Sequence, residues 1–147
     1  MTQELSPVSA WESLFRAQVV IMRTLSAEFP LQKLSLNEYD VLFNLSIRSK
    51  SRLRIRDINQ HLLLSQPTLS RLIDRLVARG FLNKSVDPWD GRGTIVSLTS
   101  EGSAVFAEAA AVYNRLAAEQ ITAALDSEEI EQLTTLCDKL KAHGSTS

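Results

Sequence analysis

Between Ser65 and Arg75 the chain sets short polar and cationic side chains (Ser65, Gln66, Thr68, Ser70, Arg71, Arg75) among Pro67 and the apolar Leu69, Leu72 and Ile73. The chemistry open to such a set is hydrogen bonding to base edges. A glutamine matches the donor and acceptor of adenine, an arginine spans O6 and N7 of guanine, and a threonine meets a thymine methyl or a base edge. Each good bidentate pair is worth ~1–3 kcal/mol of base discrimination. A helix that reads the major groove carries such groups at its N-terminal end, in front of an apolar stripe that holds its angle. The same pattern by itself also describes an amphipathic helix with a solvated outer face. A short helix before it, basic flanks and a hairpin after it turn the reading towards nucleic acid.

Arg92 lies between Gly91 and Gly93, where the backbone can approach a partner closely and present the guanidinium outward. A cation held this way suits a narrow A·T-rich minor groove, with Asp90 orienting it. The alternative is a local turn contact between Asp90 and Arg92, worth little at an exposed position. Arg52, Arg54, Arg56 and Lys84 read as phosphate contacts, which add affinity without sequence information. Trp89 reads as a hydrophobic brace for the hairpin tip rather than a base-stacking group. Charge is partitioned in the same sense. Residues 48–92 hold ten Lys/Arg against four Asp/Glu, net +6, and the rest of the chain holds six against thirteen, net −7. A basic middle between acidic ends suggests a polyanion-binding module on an acidic scaffold.

Helices must position these groups. Trp11, Leu14, Phe15, Met22, Leu25 and Phe29 recur at helical spacing over 9–29, and Val19, Val20 and Ile21 make the middle apolar all round. Such a helix is buried on more than one side, and a partner subunit can supply the second. Ser35 to Glu38 is a capping box that opens a helix to about Ile47. Arg48 to Arg54 reads as a basic connector, and a short helix follows over Arg56–Leu62. The recognition helix runs from about Ser65 to Arg79. Its stripe of Leu69, Leu72, Ile73, Leu76 and Val77 faces inward, and Gly80 closes it. Two strands, 81–86 and 94–98, flank the turn-rich Asp87 to Gly93. Thr99 or Ser100 caps a long helix to about Leu125. Asp126 to Glu129 forms a second capping box before a last helix with Ile130, Leu133, Leu136, Cys137 and Leu140 on its inner side. The fold expected is mainly α with a small β-hairpin wing: an N-terminal dimerisation helix (8–34), a winged helix-turn-helix (35–99) and C-terminal dimerisation helices (100–143).

Other chemistry finds little footing. The one cysteine, Cys137, sits on an inner stripe and reads as structural, leaves no intrachain disulfide, and fits a reducing cytoplasm. Met22 reads as core packing. His61 and His143 are isolated, so no metal site and no cofactor are expected. Nucleophile, acid–base and phosphate-loop signatures are missing, so an enzyme is not expected. Neither a leader nor a membrane span is expected. Trp11, Phe15, Tyr39 and Phe43 can be read as the lining of an aromatic ligand pocket or as core and dimer contacts.

Several stretches together resemble the MarR family of bacterial transcriptional regulators. They are Leu53-Arg54-Ile55-Arg56-Asp57-Ile58, the run from Leu64 to Leu76, Gly80-Phe81-Leu82, the segment Asp87 to Gly93, and Leu98-Thr99-Ser100-Glu101-Gly102. The resemblance covers nearly the whole chain. It implies a triangular homodimer built from the first and last two helices, with recognition helices in successive major grooves of an inverted repeat and wings in flanking minor grooves. It also implies repression relieved by a small aromatic or phenolic effector. Carried over by position, Arg92 is the wing arginine with Asp90 as its partner, and Ser65, Gln66, Thr68, Ser70 and Arg71 face bases and phosphates. Glycines flank Arg92 where family wings often carry further basic residues, and Asn83-Lys84-Ser85 stands where an arginine is frequent. The competing expectation is a winged-helix module that binds protein without sequence-specific DNA recognition.

Overall fold

Ser35 caps the second helix as its spacing requires. Its Oγ accepts from the Glu38 N–H at 3.1 Å, and the Glu38 carboxylate accepts from the Ser35 N–H at 2.9 Å. The computed structural model describes residues 6–29, 33–48, 52–58, 62–89 and 91–145. In chain order the elements are α1 (Pro7–Glu28), α2 (Leu36–Ser46), β1 (Arg52–Arg54), α3 (Ile55–Ile58), α4 (Gln66–Ala78), β2 (Leu82–Val86), β3 (Thr94–Leu98), α5 (Ser100–Ala124) and α6 (Ser127–Ser145). They fall into two compact units, Ser26–Val112 and Met1–Leu25 with Tyr113–Ser147.

The Ser26–Val112 unit has a continuous core. The predicted stripe of α4 is buried at Leu69, Leu72, Ile73 and Leu76, as are Val41, Leu42 and Leu45 of α2, Ile58, Leu82 and Val96, and α4 packs on α2 and β2. Each such side chain contributes about 1.5–3 kcal/mol by leaving water. Gly80 ends α4 with φ +84°, a conformation that strains any residue with a Cβ. Thr99 then caps α5, accepting from the Gly102 N–H at 2.9 Å while its hydroxyl donates to the Gly80 carbonyl at 2.6 Å. Gly102 is required by close approach, since a Cβ there would lie 2.0 Å from the Phe81 carbonyl oxygen.

The strands form an antiparallel sheet in the order β1-β3-β2, with Leu53 and Lys84 both opposite Val96. β1 corrects the reading of Arg48 to Arg54 as a connector: Arg52, Leu53 and Arg54 pair with Ser97, Val96 and Ile95. The short helix begins at Ile55 and is described as far as Ile58, while residues 59–61, including His61, lie outside the described residues.

In the other unit Asp126 and Glu129 complete the second capping box, with N–H to carboxylate distances of 3.0 and 2.8 Å. Its apolar residues are mostly uncovered. Leu25 and Leu116 are buried, whereas Trp11, Phe15, Val20, Leu136 and Leu140 are exposed. The inner stripe expected on α6 is thus open at Leu133, Leu136 and Leu140 in the single chain. Cys137 is half-buried and lines an apolar hollow of about 590 Å³ together with Leu14, Ile21, Met22 and Tyr113. No helix among the described residues is long and apolar enough to cross a membrane.

Candidate nucleic-acid interface

All the residues read as nucleic-acid contacts belong to the Ser26–Val112 unit. At the start of α4, the Ser65 Oγ accepts from the Thr68 N–H at 3.3 Å and its hydroxyl donates to the Thr68 Oγ1 at 2.8 Å. The Ser65 hydroxyl therefore caps the helix, satisfying a donor that α4 itself leaves unpaired, and is in turn fixed by its bond to Thr68. Pro67 stands in the first turn, where its missing N–H costs nothing. Gln66, Ser70, Arg71 and Arg75 project from the exposed face, with Asp74 beside them. Thr68, Arg71, Asp74 and Arg75 line one open depression on that face.

The wing joins this surface. Arg54 and Arg56, Gln66 at the head of α4, and Arg92 to Thr94 at the wing line a single cleft of about 300 Å³. Three segments far apart in sequence thus present guanidinium groups and an amide to one concavity, which has the character of an anion-binding surface.

Three of the four expected phosphate ligands have acidic partners, Lys84 and Arg54 closely and Arg56 loosely, at 3.9 Å from Asp57. The Lys84 ammonium donates to Asp74 Oδ1 at 2.9 Å, tying the first wing strand to α4. Arg54 is drawn inward to Asp87 at 2.5 Å, where the carboxylate side chain is 1% exposed. Arg52 and Arg56 remain exposed. Asp87 is a residue that sequence reasoning passed over as a turn former. Its Oδ1 accepts from the Trp89 N–H at 2.9 Å, and its own N–H donates to the Gly93 carbonyl at 2.9 Å, so it closes the wing from both sides. The only signal in the sequence was an Asp two residues before Trp89, a spacing that suits an Asx turn. Trp89 itself braces nothing: it is 91% exposed, which overturns the reading of it as a packed support for the tip. Asp90 lies outside the described residues, and with it the proposed Asp90–Arg92 pair.

A further set fixes α2 against the C-terminal end of α4. Arg79 pairs with the capping Glu38 at 3.3 Å, donates to the Lys33 carbonyl, and lies 4.8 Å above the Phe81 ring. The four aromatic residues considered for a ligand pocket divide between the units. Trp11 and Phe15 pair at 5.9 Å in one. In the other, Tyr39 stacks on Phe106 at 5.2 Å and on Phe43 at 6.4 Å. Among the described residues no group of three or more His, Cys, Asp or Glu is placed to hold a metal ion.

Residues 32–93 match the MarR family. The multiple antibiotic resistance protein MarR of Escherichia coli (strain K12) is 27% identical over 95 residues, an alignment that spans 65% of this chain and 66% of that protein. AbsC, a MarR family transcriptional regulator from Streptomyces coelicolor, superposes with a TM-score of 0.81 at 21% identity, covering 99% of this chain and 100% of that one. Another MarR family transcriptional regulator of Streptomyces coelicolor, crystallised in complex with DNA, gives 0.80 at 21% identity over 98% of this chain and 91% of its own. At that identity the likeness establishes the fold, a winged helix with a three-stranded sheet.

Proposed function

From the MarR family match over residues 32–93 and the likeness to the Escherichia coli MarR protein, we propose that the chain is a MarR-type DNA-binding transcriptional regulator acting as a homodimer on a short inverted repeat. In this reading α4 enters the major groove, with Gln66, Thr68, Ser70 and Arg71 towards base edges and Ser65, Pro67 and Arg75 setting its N-terminal approach and backbone contact. The wing lays Arg92 into the adjacent minor groove, and Arg52 and Arg56 hold phosphates. The observation that carries the reading is the shared cleft of Arg56, Gln66 and Arg92, which lets one rigid surface follow groove and backbone together.

The homodimer is supported by the apolar side chains left open in the unit of chain ends, among them Trp11, Phe15, Leu136 and Leu140. So many large apolar side chains left uncovered in one small unit point to an association surface. We assign 35–99 to DNA and 8–34 with 100–143 to dimerisation. Repression in the cytoplasm, relieved by a small aromatic or phenolic effector, completes the proposal, and the role is that of a regulator rather than an enzyme.

Fluorescence anisotropy on duplex DNA from upstream of the protein's own coding sequence tests it. Nanomolar-range binding that falls steeply with salt is expected. Arg71→Ala and Arg92→Ala should both weaken binding, and only Arg71→Ala should relax base preference. Equal binding by both variants would remove the site assignment, and binding insensitive to salt would favour a protein partner instead.

A further inference from the structure

The wing presents an apolar group that the electrostatic account leaves unused. Trp89 is 91% exposed, and the neighbouring Val86 is 68% exposed. A large ring held in water at a hairpin tip is costly and is poorly explained by folding, since it buries almost nothing. Its backbone is nevertheless held in place. The Trp89 N–H donates to Asp87 Oδ1, and the 1% exposed Asp87 carboxylate is anchored by Arg54. The ring is therefore projected from a fixed base on the same hairpin tip that carries Arg92.

We propose that Trp89 is a second DNA contact of the wing, its indole packing on the deoxyribose wall of the minor groove beside the Arg92 guanidinium. The inference rests on the DNA-binding reading above. Minor-groove proteins combine cations with apolar side chains that cover sugar and base surface. An indole supplies such area with only two side-chain torsions to freeze. Asp87 acts as the positioning residue, and Trp89 adds affinity with no charge of its own.

The test uses the full chain and a labelled duplex from its own upstream DNA, with titration at several salt concentrations and quenching of tryptophan emission by acrylamide. In the wild type, DNA should shield part of the emission from the quencher, and that protection should vanish in Trp89→Phe while Trp11 continues to report. Trp89→Ala should weaken binding about tenfold per wing, the scale of one aromatic contact to nucleic acid. Its salt slope should stay that of the wild type, because no phosphate contact is lost, whereas Arg92→Ala should flatten the slope by about one per wing. Trp89→Phe should retain most of the affinity. The melting temperature of each variant should match the wild type, since the ring is not packed. If the duplex binds but Trp89 stays fully open to quencher and Trp89→Ala binds as tightly as the parent, the contact is refuted while DNA binding stands. A Trp89→Ala variant that also loses the Arg92 share of the salt slope would overturn it in favour of a structural role in the wing. Absence of any duplex binding would fell the regulator reading and this contact with it.

Discussion

The Arg54–Asp87 pair predicts an asymmetric response to losing either partner. The two groups meet at 2.5 Å, but their surroundings differ: the Asp87 side chain is 1% exposed and that of Arg54 29%. Arg54→Ala strands a carboxylate that keeps one hydrogen bond, from the Trp89 N–H, and cannot reach water. Leaving one member of a buried pair uncompensated costs about 3–5 kcal/mol. Asp87→Asn keeps an oxygen for the Trp89 N–H and leaves a guanidinium that can turn towards solvent, so about 1–3 kcal/mol is lost. For a chain of this size each kcal/mol moves the melting temperature by roughly 2–4 °C, which puts Arg54→Ala about 6–20 °C below the parent. Thermal unfolding followed by circular dichroism, at one fixed protein concentration because association also shifts the midpoint, measures both variants. The double variant Arg54→Met/Asp87→Leu should recover much of the loss, since an apolar pair needs no compensation. The reasoning fails if Arg54→Ala melts with the wild type, or if Asp87→Asn proves the more damaging change.

Three further outcomes are expected. Gly102→Ala forces a Cβ to within 2.0 Å of backbone at Phe81, so the start of α5 must shift; a loss of about 3 kcal/mol or failure to fold is expected in urea denaturation, beyond ordinary overpacking. Asp40 has its pKa raised above the usual 3.8 by burial; the folded state then binds the proton more tightly than the unfolded chain, so its charge costs stability at neutral pH. Asp40→Asn should therefore melt above the parent at pH 7, and the gap should close as the pH falls through the raised pKa towards 3.8; a gap that widens on acidification would contradict this. Leu136→Lys places a charge on a side chain that is 57% exposed in the single chain; sedimentation should show a weakened dimer with secondary structure retained, and an unchanged dimer would move the interface elsewhere.

The elements that proved legible are those specified by neighbours in sequence. The α4 stripe, the capping boxes at Ser35 and Asp126, the left-handed Gly80 and the span of β3 all follow from spacings of a few residues. What stayed hidden depends on partners that are distant in the chain. Arg-Leu-Arg at 52–54 carries no strand signal of its own and becomes β1 only because β3 offers it an edge. Arg54 and Lys84 looked like free phosphate ligands because Asp87 and Asp74 lie 33 and 10 residues away along the chain. The exposure of Trp89 was equally invisible, since an aromatic residue in a turn is as easily packed as projected.

These pairings change what the positive charge of the middle segment can do. Its net +6 is the same whichever acids face which bases, but a field that binds DNA depends on where the unbalanced cations stand. Asp87 and Asp74 draw Arg54 and Lys84 into structural roles at the two sides of the wing. Glu38, outside the basic segment, does the same for Arg79 behind α4. Arg52, Arg56, Arg71, Arg75 and Arg92 stay exposed in the same unit, with Asp74 beside Arg71 and Arg75 and Asp57 3.9 Å from Arg56. On the DNA-binding reading proposed above, Asp87→Lys should impair binding although it adds positive charge, because Asp87 holds Arg54 and the Trp89 N–H together at the base of the wing.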